Sequence, residues 1–314
     1  MRVVITGSAG AIGSHMAEQL AREGHTVSGI DAFTDYYDPS EKRRTAEEMA
    51  SAGIRTYELD LATDDLHEAV PDDTGFIIHF AAQPGISATT PYDVYEKNNM
   101  HATARLLARA TELPAFSGFL HIATSSIYGV QAVGNETSEP RPTSFYGATK
   151  LGAEQLALSY ARRDVLPVAS VRPFSVYGER ERPDKLFRKL IAAIDEGKPF
   201  PLHEGSREHR RSFTYVGDIV DGVSAMMAEW DACVGEVFNL GTEETHTTGE
   251  GIDLVEELMG KKGVYEVKPK RPGDQKETAA DITKAREVFG YAPVVSLREG
   301  LAREIAWYRA HARA

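Results

Sequence analysis

An α/β fold, built as a doubly wound parallel sheet carrying a smaller mixed α/β lobe, follows from three observations. Strand-like runs recur at 2–6, 26–30, 54–58, 75–80, 118–124 and 167–172, with helical stretches such as 93–112 and 146–163 between them. Strands that alternate with helices pair in parallel, and such sheets take their ligands at the carboxyl ends of the strands. The first strand also runs directly into a glycine-spaced turn that opens a helix. Beyond about residue 175 the alternation gives way to shorter strands at 236–240 and 265–267, with Pro/Gly-rich turns at 198–201 and 270–273. Residues 1–175 are therefore expected to form a dinucleotide-binding unit, and 176–314 mainly a second lobe interleaved with it.

Arg2-Val3-Val4-Ile5-Thr6 reads as a buried strand, followed by Gly7-Ser8-Ala9-Gly10-Ala11-Ile12-Gly13 and a helical pattern through Glu23. Glycines at 7, 10 and 13 permit a tight turn, let backbone approach a pyrophosphate, and let the helix pack close to the strand. The pyrophosphate then lies at the positive end of the helix. The second strand ends at Asp31, a carboxylate placed to accept from both hydroxyls of an adenosine ribose. It would repel a 2'-phosphate, so NAD is expected over NADP. The plainer reading of Asp31 is a turn or helix cap. No internal repeat is present, and 297–314 reads as a closing amphipathic helix with Trp307 and Tyr308 as packing residues.

At 314 residues with 42% hydrophobic side chains, the chain can bury a large core. Its net charge of -12 argues against nucleic acid or an anionic membrane as partner, so an anionic substrate must meet local basic groups. The single Cys233 excludes a disulfide framework within the chain, and no His/Cys spacing resembles a metal site. The first strand begins at residue 2 without a charged leader or a long apolar run, which fits a cytoplasmic enzyme.

Ser144-Phe145-Tyr146-Gly147-Ala148-Thr149-Lys150 places a phenol and an ammonium one helical turn apart. An ammonium beside the phenol favours the phenolate, so the Tyr146 pKa is expected to fall toward neutrality and the side chain to act as a general base. This spacing is common on solvated helix faces, so the surrounding residues must carry the case.

They do. Gly7/Gly10/Gly13, Asp31, Asp60-Leu61, His79-Phe80-Ala81-Ala82-Gln83, Asn99, Thr124 ahead of Tyr128-Gly129, Tyr146/Lys150, Arg172-Pro173, Arg211-Ser212-Phe213-Thr214-Tyr215-Val216 and Arg271-Pro272-Gly273-Asp274 occur in order. Over nearly its whole length the chain resembles the extended short-chain dehydrogenases/reductases, in the branch that remodels nucleotide sugars on a Rossmann sheet. The resemblance implies that Asp60 and Leu61 border the adenine, and that Ala81, Ala82, Gln83, Asn99 and Pro173 line bound NAD with Ala11 and Ile12 of the glycine turn. Lys150 would also hold the nicotinamide ribose. Arg211 and Arg271 would grip the substrate diphosphate and Asp274 its ribose region, which suits guanidinium forks on an acidic protein. Helices 93–112 and 146–163 resemble the pair through which this family forms homodimers, although Leu106, Leu107, Leu151, Leu156 and Leu158 read equally as core.

Within this branch the residues after Thr124 separate the chemistries. The 4,6-dehydratases that resemble the chain have an Asp-Glu pair there and the uronate decarboxylases a later glutamate, whereas this chain has Ser125-Ser126. Without such an acid no group serves carbon 5, which favours plain 4-epimerisation. Two stretches, 31–43 and 174–184, resemble UDP-glucuronate 4-epimerases, with Ser175 for the usual Thr and Glu179 for the usual Pro. In that family the counterparts of Arg182, Ser125, Ser126 and Ser175 surround the sugar carboxylate, as a guanidinium and several hydroxyl donors should. The plain alternative for Arg182 is a loop salt bridge to Glu179 or Asp184. Segment 84–88 lacks the arginine usual there, and 203–210 departs from the common pattern around the uracil pocket.

The resemblance thus implies a UDP-glucuronate 4-epimerase with tightly held NAD and the set Thr124, Tyr146 and Lys150 as its catalytic residues. The rival is a UDP-glucose 4-epimerase on the same apparatus. A 4,6-dehydratase, a decarboxylase or a non-catalytic dinucleotide sensor is a more distant reading.

Overall fold

Val3, Val4 and Ile5 are wholly enclosed, so the first strand is covered on both faces, as a strand inside a parallel sheet must be. The computed structural model describes residues 1–85, 89–270 and 275–311. The strands are β1 (Arg2–Thr6), β2 (Thr26–Asp31), β3 (Arg55–Glu58), β4 (Thr74–His79), β5 (Gly118–Ile122), β6 (Gln131–Ala132), β7 (Val168–Pro173), β8 (Val176–Tyr177), β9 (Pro199–His203), β10 (Arg210–Arg211), β11 (Thr214–Tyr215), β12 (Val237–Leu240), β13 (His246–Thr247), β14 (Val264–Lys268) and β15 (Glu277–Thr278). The helices are α1 (Ala11–Arg22), α2 (Pro39–Ser51), α3 (Tyr92–Tyr95), α4 (Ala102–Ala110), α5 (Phe145–Arg162), α6 (Leu186–Glu196), α7 (Val216–Ala228), α8 (Trp230–Cys233), α9 (Thr248–Met259), α10 (Thr283–Phe289) and α11 (Leu297–His311).

Seven strands form one parallel sheet in the order β12-β7-β5-β4-β1-β2-β3. The order reverses between β1 and β4, and at such a switch point the strand ends diverge and leave a crevice. One apolar cluster, with Met16, Leu20, Ile219 and Met226, packs α1 and α7 against one face. Another, with Leu106, Leu107, Ala110 and Ala157, packs α4 and α5 against the other. A third, around Phe187, Phe213, Ile252 and Leu301, is the core of the smaller lobe. That lobe carries the sheet β13-β10-β15-β6 and the pairs β11-β8 and β14-β9. The edge strand β12 comes from the carboxyl-terminal half, so the chain re-enters the large sheet after building part of the second lobe.

The stretch 93–112 is not one helix. Between α3 and α4, Glu96–His101 form a wide π turn. Such a turn adds a residue and reorients side chains relative to an α-helix. Here Asn99 is buried, with its amide directed at the backbone of Gln83.

Candidate active site

The glycine turn fixes the bottom of the site. Gly7 has φ +67°, and a Cβ there would stand 2.8 Å from the Ala81 nitrogen; one on Gly13 would stand 2.3 Å from the Gly7 carbonyl oxygen. A side chain at Gly7 would collide with the backbone that follows β4, and one at Gly13 would push α1 off the end of β1, so this close packing requires glycine. At the end of β2, Asp31 Oδ2 accepts from the Ala9 amide at 3.2 Å. Its Oδ1 accepts from Phe33 at 2.9 Å and from Lys42 Nζ at 3.3 Å. Asp31 therefore braces its own turn and faces the cavity at once, so the cap reading and the ribose reading are compatible. Lys42 escaped the sequence argument because its partner lies eleven residues earlier, across a loop.

A cavity of about 660 Å³ opens over the carboxyl ends of the strands. Gly7, Gly10, Ala11, Ile12, Gly13, Asp31, Asp60, Leu61, Ala81, Ala82, Gln83 and Pro173 all line it. So do Thr124, Ser125, Ser126, Tyr146, Lys150, Ser175, Arg182 and Arg211. Asn99 does not reach it: its Oδ1 accepts from the Gln83 amide at 2.7 Å and its Nδ2 donates to Thr149 Oγ1 at 2.9 Å. A buried amide must satisfy its polar atoms locally, and Asn99 does so by holding the 81–83 segment from behind, while its neighbour Asn98 lines the cavity. Arg271 and Asp274 lie outside the described residues.

Tyr146 is in the first turn of α5, whose N-cap Ser144 accepts from the Gly147 amide at 3.1 Å. Lys150 follows one turn later and is 2% exposed. The expected fall of the Tyr146 pKa does not occur in this enclosed site. Burial pushes the phenol above its ordinary value, against the Thr124 hydroxyl and the Arg182 guanidinium, while Tyr95 adds to the rise. Lys150 is itself pulled down to about 7 by burial, with Glu154 opposing. Beneath it, His79 and His121 are held neutral by burial first and by Lys150 second, His79 falling to about 3. Glu154 is engaged with Arg172 at 2.7 and 2.9 Å, with both side chains enclosed.

Thr124 is the cap of a short 3-10 turn, Ser125–Tyr128, and its Oγ1 accepts from the Ser126 amide at 3.1 Å. Ser175 follows β7 with φ +35°, a strained value for a residue with a Cβ. Arg182 reaches the cavity from the strap 178–185. Its guanidinium is paired in bidentate fashion with Asp184, Nε to Oδ1 at 3.0 Å and Nη2 to Oδ2 at 3.1 Å, and lies 5.3 Å from the Tyr36 ring centroid. The salt-bridge alternative is thus realised with Asp184, although Arg182 still lines the site. Glu179 instead accepts from the Tyr215 hydroxyl at 3.0 and 2.9 Å. Tyr36 belongs to the 31–43 resemblance, but nothing in its local spacing indicated a ring beside the arginine. Arg211 donates to the Arg210 and Gln275 carbonyls, with its side chain at the cavity wall.

Among the described residues, no group of three or more potential ligands could hold a metal, and no helix is long and apolar enough to cross a membrane. What the cavity offers is a glycine cradle with a carboxylate, Asp31, at one end, cationic groups at the other, and a phenol with a threonine and a lysine between them.

Comparison with known proteins gives a consistent result. The sequence profile of the NAD-dependent epimerase/dehydratase family matches residues 3–241. An uncharacterised UDP-glucose epimerase of Bacillus subtilis, YtcB, is 34% identical over 312 residues, covering 98% of either chain. The UDP-glucuronate 4-epimerase of Thermodesulfobacterium geofontis is 33% identical over 312 residues, covering 97% of this chain and 95% of its own. The crystal structure of UDP-glucuronic acid 4-epimerase from Bacillus cereus, in complex with UDP-glucuronic acid and NAD, superposes with a TM-score of 0.93 at 32% identity over 99% of each chain. Sequence and fold agree over almost the full length, and the chain belongs to the NAD-dependent epimerase/dehydratase family.

Proposed function

We propose that this protein is a UDP-glucuronate 4-epimerase, interconverting UDP-glucuronate and UDP-galacturonate through a 4-keto sugar with tightly held NAD. One observation carries the reading. A guanidinium, that of Arg182, stands in the same cavity as Thr124, Tyr146 and Lys150, alongside Ser125, Ser126 and Ser175. A hexose hydroxymethyl group needs no such cation, whereas a uronate carboxylate does.

The residues fit NAD: a side chain at Gly7 or Gly13 would close the turn, and Asp31 keeps acceptor capacity toward the cavity. When bound, NAD supplies a reversible hydride acceptor. The chain supplies the rest. Tyr146, as phenolate, takes the proton of the sugar O4 hydroxyl and later returns it, with Thr124 hydrogen-bonded to O4 and Lys150 stabilising the anion. The raised phenol pKa in the enclosed site means that ionisation depends on positive charge gathered there. Between the two half-reactions the keto sugar turns over to present its other face.

A 4-keto uronate is a β-keto acid and loses carbon dioxide when the bond to its carboxylate aligns with the carbonyl π system. In this reading Arg182 and the three serine hydroxyls hold the carboxylate away from that alignment. Residues 1–175 serve the cofactor and 176–314 mainly the sugar nucleotide, with Arg211, Arg271 and Asp274 on its diphosphate and ribose. The reading includes a homodimer through α3–α5, since Leu106, Leu107 and Leu158 are core while Tyr92, Phe145 and Ala148 are exposed. It also includes the cytoplasm, where Cys233 would stay reduced.

The test is to incubate the purified protein separately with UDP-glucuronate and UDP-glucose, without added cofactor, and follow products by proton NMR. UDP-galacturonate should form much the faster. Dominant UDP-galactose would instead favour the UDP-glucose 4-epimerase reading, in which Arg182 is structural.

A further inference from the structure

Arg180 does not line the cavity, although it stands two residues before Arg182 on the strap. Its side chain runs instead to the helices that follow β1 and β2. The Arg180 Nη2 donates to Glu18 Oε1 of α1 at 2.8 Å and to Glu48 Oε2 of α2 at 3.0 Å. Arg180 also has φ +61°, a left-handed value that a residue with a Cβ keeps only where its surroundings fix it. An isolated exposed ion pair fixes little, but here one guanidinium, 15% exposed, is shared by carboxylates of two helices.

A second arginine repeats the contact on the far side of Arg182. Glu181 accepts from the Arg188 amide at 3.3 Å, and the Arg188 side chain reaches Glu41 Oε1 of α2 at 3.6 Å. Glu41 and Glu48 are seven residues apart and share one face of α2. The strap is therefore clasped to that face at two points, with Arg182 between them. The loop that leads into α2 supplies Tyr36, whose ring lies 5.3 Å from the Arg182 guanidinium. Fixing the strap to α2 fixes Arg182 over Tyr36, because both ends of that contact then belong to one clasped unit. Resting on the uronate reading above, we propose that Arg180 is a positioning residue for sugar selectivity: held by Glu18 and Glu48, it sets Arg182 where a uronate carboxylate meets it.

The experiment measures dissociation constants of UDP-glucuronate and UDP-glucose by calorimetry for wild type, Arg180→Met, Glu48→Gln and the double variant. Methionine keeps the apolar stem of arginine and removes the charge. Glutamine at position 48 alters only the outer face of α2. UDP-glucuronate should bind about tenfold more weakly to Arg180→Met and about threefold more weakly to Glu48→Gln, which leaves Glu18 in place, with UDP-glucose within about twofold of wild type in both. The double variant should be no weaker than Arg180→Met alone, since both changes break one link. Equal losses on the two sugars overturn the proposal, because they mark a structural role. Unchanged UDP-glucuronate affinity in Arg180→Met, or losses that add in the double variant, overturn it too. A wild-type protein that binds UDP-glucuronate no more tightly than UDP-glucose takes down the uronate reading itself, and the proposal with it.

Discussion

Tyr146 and Lys150 are four residues apart on α5, and that spacing was legible, whereas the direction of their pKa values was not. A spacing argument counts the ammonium beside the phenol but leaves out the cost of enclosing both, and here burial dominates each. Tyr146→Phe should lower turnover by a factor of about 10³ while leaving UDP-sugar affinity intact, as single-turnover and calorimetric measurements would show. Arg182 shows a similar gap. Its place among the cavity-lining residues could be read from the 174–184 resemblance, but its pairing with Asp184, which occupies two of its donors, could not; in the proposed reading a substrate carboxylate would share those donors. Asp184→Asn should therefore tighten UDP-glucuronate about threefold to tenfold and leave UDP-glucose unchanged, by comparison of dissociation constants.

Among the elements, the central strands and α5 were readable because enclosed β-branched runs and a capped helix start are local signals. The wide turn at Glu96–His101 was not, since it depends on Asn99 meeting Gln83 from another segment. The strap 178–185 carries a further long-range feature. Its Glu181 faces Glu304 of α11, with Glu179, Asp184, Lys185 and Arg182 around the pair on the strap and Arg188 on α6. Burial raises both carboxyls, Glu181 to about 7. Folded-state values above those of the unfolded chain mean that this contribution to stability is whole below the ordinary carboxylate range and lost as pH rises through about 7. Glu304→Gln should melt about 2–4 °C higher than wild type at pH 8 and alike at pH 5, in thermal scans.

For the molecule as a whole, Arg172-Pro173 stood out in the sequence as a family mark, and its mechanical role came only with the fold. Arg172 on β7 grips Glu154 on α5 and donates to the Tyr128 hydroxyl at 2.7 Å. Tyr128 in turn donates to Asn239 of β12 at 2.8 Å. Arg172→Met would leave Glu154 buried without its partner, at a cost of about 3–5 kcal/mol read from urea unfolding. Sequence could not show this link because its members are up to 111 residues apart. The late arrival of β12 also bears on how the protein is made. While it is being synthesised, the nascent sheet ends at β7, an apolar strand whose hydrogen-bonding edge stays open until Val237–Leu240 emerges from the ribosome and closes it. Until then the growing chain offers a ready template for intermolecular pairing, and its solubility in the cell depends on how quickly that edge is sheltered.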